Sequence, residues 1–430
     1  MNTVLDPPVG RPPSARPAPA IPTDLDVPMD VLPTEATPPA PLSDPASAVS
    51  AAPAPARSGP WAAIRSAAGW TAALTASVAE WVFGVAALVV ALAALSAVPL
   101  LQFLSLGYLL ECAGRVARTG RLRDGLVGVR KAARIGGLIA GGWLVLLPLR
   151  LISTLAESAE IIDPGGRAAE GWRAALVVLT GLAAVHILAS VARGGRLLTF
   201  LWPLNIVWLL RRLWSGGWYA PARDTVCDAI FALRLPYFFW LGVRGFAGGL
   251  LWLALPVGML AAGHDNILVG WLGALLLIAV LPVVAAVQTR FAAENRFRAF
   301  FEYRPAAELF LRTPWAFAVA LFLTLLLAVP LHLLKIEMIP REAAWLPGLL
   351  FIVFNLPARL ATGWAAARAG RRERRARWWN RWAARMLILW PAAAAFVGIT
   401  YLSRFTAWEG AGSLFAQHAF LLPSPFSEYR

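Results

Sequence analysis

The sequence predicts an all-α, polytopic membrane protein with about eight transmembrane helices. Of its 430 residues, 59% are hydrophobic and only 15% are charged, and the mean hydropathy is +0.63. A soluble protein of this length could not bury so much apolar surface in one core. Several apolar runs also reach the roughly 20 residues that a helix needs to cross about 30 Å of hydrocarbon.

Residues 1–60 are rich in Pro and Ala and predict a disordered, partly polyproline tail, because Pro fixes φ and lacks an N–H. No apolar signal-peptide segment occurs in the first thirty residues. The next stretch, 61–80, favours a helix that lies on the membrane surface. Beyond the membrane region, residues 404–430 form a short C-terminal tail.

Eight apolar runs after the tail are long enough to be spans: 81–106, 135–155, 174–192, 236–262, 267–288, 315–334, 346–367 and 386–403. Four of the connecting loops hold 26 of the 39 basic residues: 111–134, 193–235, 289–314 and 368–385. By contrast, the loop 156–173 holds two basic and four acidic residues. The positive-inside rule therefore places the loops after odd spans in the cytoplasm and the protein in a bacterial cytoplasmic membrane.

The apolar run 197–210 (LLTFLWPLNIVWLL) tests this topology. It is shorter than the other runs, contains Pro203, and is flanked by arginines at both ends. A crossing here would move the loop with eight arginines to the outside. The run is therefore predicted to be interfacial or re-entrant.

The side of the N-terminal tail depends on the apolar run from Trp81 to Leu110, which contains Pro99. One complete crossing at 81–106 would leave the tail outside, and this is the prediction adopted. The alternative is a re-entrant hairpin that breaks at Pro99 and leaves the tail inside, with seven full spans.

A short basic phrase recurs where odd spans leave the membrane. It occurs as ARTGR at 117–121, AAENR at 292–296, ARGGR at 192–196 and ARAGR at 367–371. The interval between the first two copies equals the interval between the last two. The common shift predicts two related four-helix halves in parallel orientation, residues 81–262 and 263–403. Gly and Arg are also ordinary residues at a helix end, which would explain each phrase alone.

Two segments carry a family resemblance. LGYLLECAGRVARTGRLRDG (106–125) and RFAAENRFRAFFEY (290–303) resemble parts of an uncharacterised family of prokaryotic polytopic membrane proteins. The resemblance implies a class of membrane protein and no activity.

Catalytic and metal-binding motifs are absent from the sequence. It contains no Walker A loop, HExxH, CxxC or GxSxG motif. We therefore expect no enzymatic activity, no catalytic or metal-binding residue and no cofactor. Although the net charge is +15, the positions of the basic residues favour membrane lipids over nucleic acid as the partner.

The candidate binding residues are arginines and a histidine within apolar runs. Ionisable groups in a membrane are costly, so their presence there suggests a function. These candidates are Arg150, His186, Arg244 and Arg359. Snorkelling to the interface would explain Arg150 and Arg359, and helix packing would explain His186. The candidate contacts for anionic lipid are the arginines of the recurring phrase: Arg118, Arg121, Arg193, Arg196, Arg368 and Arg371.

Two functions fit these features. The first is a non-enzymatic membrane scaffold or assembly protein whose arginine loops bind anionic headgroups. The alternative is a transporter or flippase-like protein for an anionic or lipid-like substrate, which uses Arg244 and the two halves. A cavity between the halves that contains Arg244 would favour transport, and a solidly packed bundle would favour the scaffold.

Overall fold

The computed structural model describes residues 60–202, 204–215, 223, 233–263, 265–333 and 345–403. By its contacts the chain divides into two units, Met1–Ile64 and Arg65–Arg430, and the fold below is that of the second unit. The described residues are 87% helical, and no strand occurs among them. Eight of the described helices are long and apolar enough to cross a membrane. The prediction of an all-α polytopic protein is confirmed.

Seven helices are described in the first part of the chain. They are α1 (Pro60–Ser96), α2 (Gln102–Thr119), α3 (Leu122–Gly125), α4 (Val129–Ile162), α5 (Arg167–Ala192), α6 (Leu197–Phe200) and α7 (Asn205–Ser215). Of these, α1, α4 and α5 include candidate spans.

Seven more helices are described in the second part. They are α8 (Leu235–Ala262), α9 (Ile267–Glu294), α10 (Tyr303–Arg312), α11 (Pro314–Leu333), α12 (Leu346–Gly370), α13 (Trp378–Ala384) and α14 (Trp390–Ser403). A 3₁₀ turn (Phe297–Phe300) follows α9, and a π-helical turn (Arg385–Leu389) joins α13 to α14. Asn266 is the N-cap of α9. Its side chain accepts hydrogen bonds from two N–H groups of the first helical turn.

The predicted span 81–106 is not a single helix, and this prediction is wrong. Helix α1 ends at Ser96 and α2 begins at Gln102, with Pro99 in the turn between them. In the same turn, Leu100 has a positive φ of 69°. Pro disfavours the helical conformation in the residue before it, so the chain turns here and does not continue.

Helix α1 runs antiparallel to α2. Near its end, Leu92 accepts a hydrogen bond from Ser105 at 2.8 Å. Earlier in α1, Gly84 lies against Val129, two residues beyond the Val127 carbonyl that Tyr108 bonds at 2.9 Å. The chain therefore reverses direction between α1 and α2, unlike the predicted single crossing. The side of the N-terminal tail stays a prediction.

Helix α2 packs against three other helices, α8, α9 and α12, through close contacts at glycines. Gly107 lies against the backbone of α8, Gly114 against Ala292 of α9, and Gly363 of α12 against Ala113. Twelve of the 18 residues of α2 are buried. A helix predicted as half span and half loop is thus central to the core.

The structure differs in detail from other predicted helix limits. Residues 61–80 belong to the continuous helix α1. The run 197–210 divides into the single turn α6 and the start of α7, and it is not among the candidate spans. The predicted disordered tail up to residue 59, residues 404–430, Cys227, His264 and His418 lie outside the described residues.

The backbone repeats at the first pair of recurring phrases. Helices α2 and α9 end at equivalent positions of the phrase, and the residues that follow, Gly120 and Asn295, have left-handed φ values of 74° and 52°. Next come Arg121 and Arg296, both extended, with φ/ψ of −114°/122° and −119°/121°. A single helical turn follows in both copies, α3 and the 3₁₀ turn.

The second pair of phrases does not repeat in this way. Helix α5 ends at Ala192 and is followed by Gly194 and Gly195, which both have positive φ. Helix α12 continues through Ala367 to Gly370. The halves predicted at 81–262 and 263–403 stay a prediction.

Candidate functional site

A small cavity lies inside the helix bundle, between α8, α9, α11 and α12. Its volume is about 20 Å³. The apolar part of its wall comes from Leu253, Leu281, Val284, Ala285, Leu321 and Leu325. Four polar residues complete the wall: Gln288, Thr324, Arg359 and Thr362. We call this the buried polar cavity.

Arg359 and Gln288 form the polar centre of this cavity. Arg359 is 6% exposed and Gln288 is 2% exposed. The guanidinium donates from Nη1 to Oε1 of Gln288 at 2.7 Å, although 71 residues separate the two in sequence. The other end of the amide, Nε2, is buried without a hydrogen-bond acceptor among the described residues.

The two threonines present hydroxyl oxygens to the same cavity. Thr324 donates to the carbonyl of Ala320 at 2.8 Å, and Thr362 donates to the carbonyl of Arg359 at 3.0 Å. Such bonds to the preceding turn let a hydroxyl lie in an apolar helix without an unsatisfied proton. Each oxygen keeps lone pairs, and each hydroxyl can rotate to meet another group.

A second polar cluster surrounds Glu111 of α2, which is 4% exposed. Its Oε1 accepts hydrogen bonds from Arg115 and Arg118, both at 2.9 Å. Its Oε2 accepts from the hydroxyl of Tyr237 in α8 at 2.7 Å. A buried carboxylate with three donors is fully satisfied, so this cluster joins helices and leaves no group for a ligand.

Arg118 extends this cluster to α9. It donates to the carbonyls of Ala292 and Ala293 at 3.1 Å and 3.0 Å. These carbonyls belong to the last turn of α9, where a cation complements the helix dipole. Close by, the guanidinium of Arg371 lies against Gly120. The ends of α2, α9 and α12 therefore lie together on one side of the bundle.

We call this side the basic face and define it as residues 111–134, 289–314 and 368–385. It contains 20 basic and 6 acidic residues, an excess of 14. A groove of about 390 Å³ opens there, lined by Arg304, Pro305, Glu308, Leu309, Arg312, Ala369 and Gly370. Glu308 accepts a hydrogen bond from Arg375 at 3.2 Å, and this bond lowers the pKa of the carboxyl.

The structure separates the candidate residues predicted within apolar runs. Arg359 lies in the buried polar cavity, roughly 16 Å along the helix from the end of α12. Its burial rules out the snorkelling interpretation. Arg244 lies elsewhere: it donates to the carbonyl of Trp240 at 3.2 Å and to Oδ1 of Asn295, at the end of α9, at 3.0 Å.

The other two candidates lie on the α4–α5 hairpin. Arg150 is exposed in the structure, as the snorkelling interpretation requires. His186 is half-buried, and its Nε2 lies 2.9 Å from the carbonyl of Phe200 in α6. His186 is thus bonded within a local contact between α5 and α6, as the helix-packing interpretation has it.

The candidate lipid contacts fall into two groups. Arg118, Arg121, Arg368 and Arg371 lie on the basic face. Arg193 instead donates to Asn205 at 2.6 Å and lies over the ring of Trp208, while Arg196 is exposed before α6. Of the first group, Arg368 also packs over the ring of Trp364 at 5.4 Å.

Sequence reasoning missed Gln288, Thr324 and Thr362 of the cavity, and Glu111 and Tyr237 of the second cluster. Gln288 ends its predicted span and Glu111 opens a predicted loop, so their positions in the sequence do not predict burial. One signal was present for Glu111: small residues recur along α2 at Gly107 and Gly114. Such residues are typical of helices that pack closely in membranes.

The helices and their lengths define a multi-pass, all-α integral membrane protein. Comparison with known proteins found no matching family model, no matching curated protein and no matching solved structure.

Proposed function

We propose that the protein is a non-enzymatic membrane scaffold or assembly protein of the bacterial cytoplasmic membrane, and that its basic face binds anionic lipid headgroups. The observation that carries this proposal is the convergence of three helix ends on a face with an excess of 14 basic residues. Basic residues near an anionic membrane surface contribute about 1 kcal/mol each to binding.

The arginines of the basic face differ in how far local carboxylates neutralise them. Arg115 and Arg118 share Glu111, and Arg290 bonds both Glu294 and Glu302. These arginines hold the fold together. The segment after α12 differs, because it contains five arginines and a single acidic residue, Glu373. Arg375 bonds Glu308 of α10. The other four are Arg371, Arg372, Arg374 and Arg377. All five are exposed.

Exposed tryptophans follow this arginine segment directly. Trp378, Trp379 and Trp382 of α13 are 71%, 51% and 58% exposed. Trp side chains prefer the headgroup level of a membrane. Their position supports placing the arginine segment at the lipid surface, where phosphate groups are within reach of the guanidinium groups.

Lipid binding by the purified chain in a neutral detergent tests this proposal. The titrant is a fluorescent short-chain phosphatidylglycerol, and phosphatidylcholine with the same chains is the neutral comparison. The test variant changes Arg371, Arg372 and Arg374 to Gln. We expect a loss of phosphatidylglycerol affinity on the order of 100-fold, from three contributions of about 1 kcal/mol.

The matched control removes the same charge from the α4–α5 hairpin, with Arg150, Arg167 and Arg173 changed to Gln. It should bind phosphatidylglycerol like the wild type. If the wild-type chain prefers neither lipid, or if both triple variants lose affinity equally, the basic face is not a headgroup site.

Transport of an anionic or lipid-like substrate is the second candidate function, and the buried cation Arg359 inside the bundle favours it, because ionisable groups within a membrane often lie on substrate pathways. Its test is the rate at which labelled phosphatidylglycerol crosses the bilayer of proteoliposomes, with Arg359→Gln as the variant. A wild-type rate equal to that of protein-free vesicles would rule out lipid transport.

A further inference from the structure

We propose that the groove between α10 and the end of α12 binds the phosphate group of one anionic phospholipid. The inference rests on the proposed function and deepens it, because it gives the basic face one saturable site in addition to its general positive charge. The volume of the groove, about 390 Å³, falls within the roughly 300–1,000 Å³ that small-molecule sites occupy.

The wall of the groove presents positive charge because its carboxylate is already bound. Arg304, Glu308 and Arg312 recur every four residues and therefore lie along one side of α10. Arg375 donates to both carboxylate oxygens of Glu308, from Nε to Oε2 at 3.2 Å and from Nη2 to Oε1. This bidentate pair takes up the charge of Glu308. The two arginines that line the groove are therefore available to an anion.

The local contacts of these two arginines are weak. The ion pair of Arg312 with Glu308 is 3.9 Å long, and its Nε has no hydrogen-bond acceptor among the described residues. Arg304 is exposed and donates to the hydroxyl of Tyr303 at 3.4 Å. A planar guanidinium matches two oxygens of a phosphate group and binds them with two parallel hydrogen bonds. Either arginine can turn to a phosphate without losing a strong bond.

The position of the groove favours a lipid over a soluble phosphate. The candidate span in α11 begins two residues after Arg312, and the span of α12 ends at Gly370, which lines the groove. Tyr303, at the start of α10, and Trp315, just beyond its end, are both exposed. Such side chains prefer the headgroup level of a membrane. A lipid whose phosphate lies in the groove can therefore keep its acyl chains beside the apolar helices.

The primary experiment distinguishes a built site from a diffuse positive field by comparing two variants of Arg312. The purified full chain in neutral detergent is titrated with fluorescent short-chain phosphatidylglycerol, and native mass spectrometry counts the lipids that stay bound. We expect one tightly bound lipid per wild-type chain. Arg312→Gln and Arg312→Lys should each weaken its binding about tenfold, because lysine keeps the charge but cannot form two parallel bonds. Wild-type affinity in Arg312→Lys would overturn the site.

A second pair of variants fills space without changing any charge. A Cβ at Gly370 would meet no described atom within 4 Å, and the same holds for Gly142 in α4. Gly370→Leu should therefore fold like the wild type but lose the tightly bound lipid, because its side chain occupies the groove. The control Gly142→Leu should keep the lipid. If both variants keep it, the groove is not the binding site, and this result decides the matter should the Arg312 variants fail to fold.

The same titrations separate failure of the site from failure of the proposed function. A wild-type chain that prefers phosphatidylglycerol to phosphatidylcholine, with no loss in Arg312→Lys or Gly370→Leu, binds headgroups diffusely, so that only the site is wrong. A wild-type chain that prefers neither lipid contradicts both proposals. Inorganic phosphate should displace the bound lipid only weakly, since it has no acyl chains. Displacement as strong as that by unlabelled phosphatidylglycerol would show that the groove binds a soluble anion and not a lipid.

Discussion

Helices α2 and α9 end alike but bury different polar residues. Each is followed by a left-handed residue, an extended arginine and one helical turn, at equivalent positions of the recurring phrase. At the position of Glu111 in α2, however, α9 has Ala286, and at the position of Gln288 in α9, α2 has Ala113. The difference indicates that the common helix end serves the fold, whereas each interior polar residue serves one place in the bundle.

The following helices show the same contrast. In the candidate span of α12, 50% of the residues are buried, against 11% in the span of α5. Gly363 of α12 lies against α2, and at the equivalent position α5 has Leu188, which is 64% exposed. Contact with α2 explains why α12 needs glycine there and α5 does not.

The largest expected effect concerns the side of the membrane on which the two ends of the α1–α2 hairpin lie. Single cysteines at Ser66 and Thr119, in a background with Cys112→Ala and Cys227→Ser, should both resist an impermeant maleimide added to intact cells. A cysteine at Glu160 should react. If the cysteine at Ser66 is labelled from outside and the one at Thr119 is not, the two residues lie on opposite sides of the membrane. The α1–α2 hairpin would then not hold in the membrane.

Packing of α2 against α8 is expected to have the next largest effect. A Cβ at Gly107 would lie 1.8 Å from the carbonyl oxygen of Phe238. Gly107→Val should therefore destabilise the protein by about 3 kcal/mol or more, or prevent folding. Thermal unfolding and gel filtration in detergent measure this.

The control for this change is Gly181→Val in α5, where a Cβ meets no described atom within 4 Å. It should unfold like the wild type. Equal losses in both variants would mean that the close approach of α2 and α8 is not what makes Gly107 necessary.

The Glu111 cluster gives a smaller expected effect. Glu111→Gln removes the charge that Arg115 and Arg118 share, and both arginine side chains are about two-fifths exposed (39% and 43%). Because solvent screens these two arginines, the free energy of unfolding should fall by less than for a fully buried ion pair, by about 2 kcal/mol. Denaturant-induced unfolding followed by Trp fluorescence provides the measurement.

Asp124→Asn is the comparison for Glu111→Gln, since Asp124 pairs with the exposed Arg123 at a distance of 4.0 Å. It should change stability by less than about 0.5 kcal/mol. A loss as large as that of Glu111→Gln would contradict the structural role assigned to the buried cluster.

The smallest expected effects are at the two left-handed helix ends. Gly120→Ala should lower the free energy of unfolding, measured in denaturant, by about 1–2 kcal/mol, because an L-residue without a local polar group is strained at positive φ. Asn295→Ala should cost about as much, since it also removes the acceptor of Arg244. Asn295→Gly keeps the preferred conformation and should stay within about 1 kcal/mol of the wild type. If Gly120→Ala unfolds like the wild type, the common backbone conformation at these helix ends is not what requires Gly120.

Much of the fold follows from sequence patterns that act locally. Apolar length identified seven of the eight candidate spans within a few residues, apart from longer ends such as those of α4. From the sequence, the turn at Pro99 is only the alternative to a single crossing. The contacts of Ser105 and Gly84 show that the chain reverses direction at this turn.

The candidate sites were less predictable than the helices. Arg359 was singled out because a cation in an apolar run is costly, but its partner Gln288 gave no such signal. Arg244, favoured from the sequence, bonds Asn295 near the end of α9. Distance from the start of a span is a poor guide to burial when the helix is 28 residues long and extends past the apolar layer.

The sequence by itself determined the class of protein, the helical segments and the backbone at the ends of α2 and α9, because hydropathy, Pro, Gly and Asn act on their own neighbourhood. Tertiary structure alone decided that α2 is buried, that Glu111 meets Tyr237 across 126 residues, and that Arg359 meets Gln288 across 71. These contacts depend on which helices approach closely. That choice is made by glycine contacts and side-chain packing between distant segments, which no local pattern encodes.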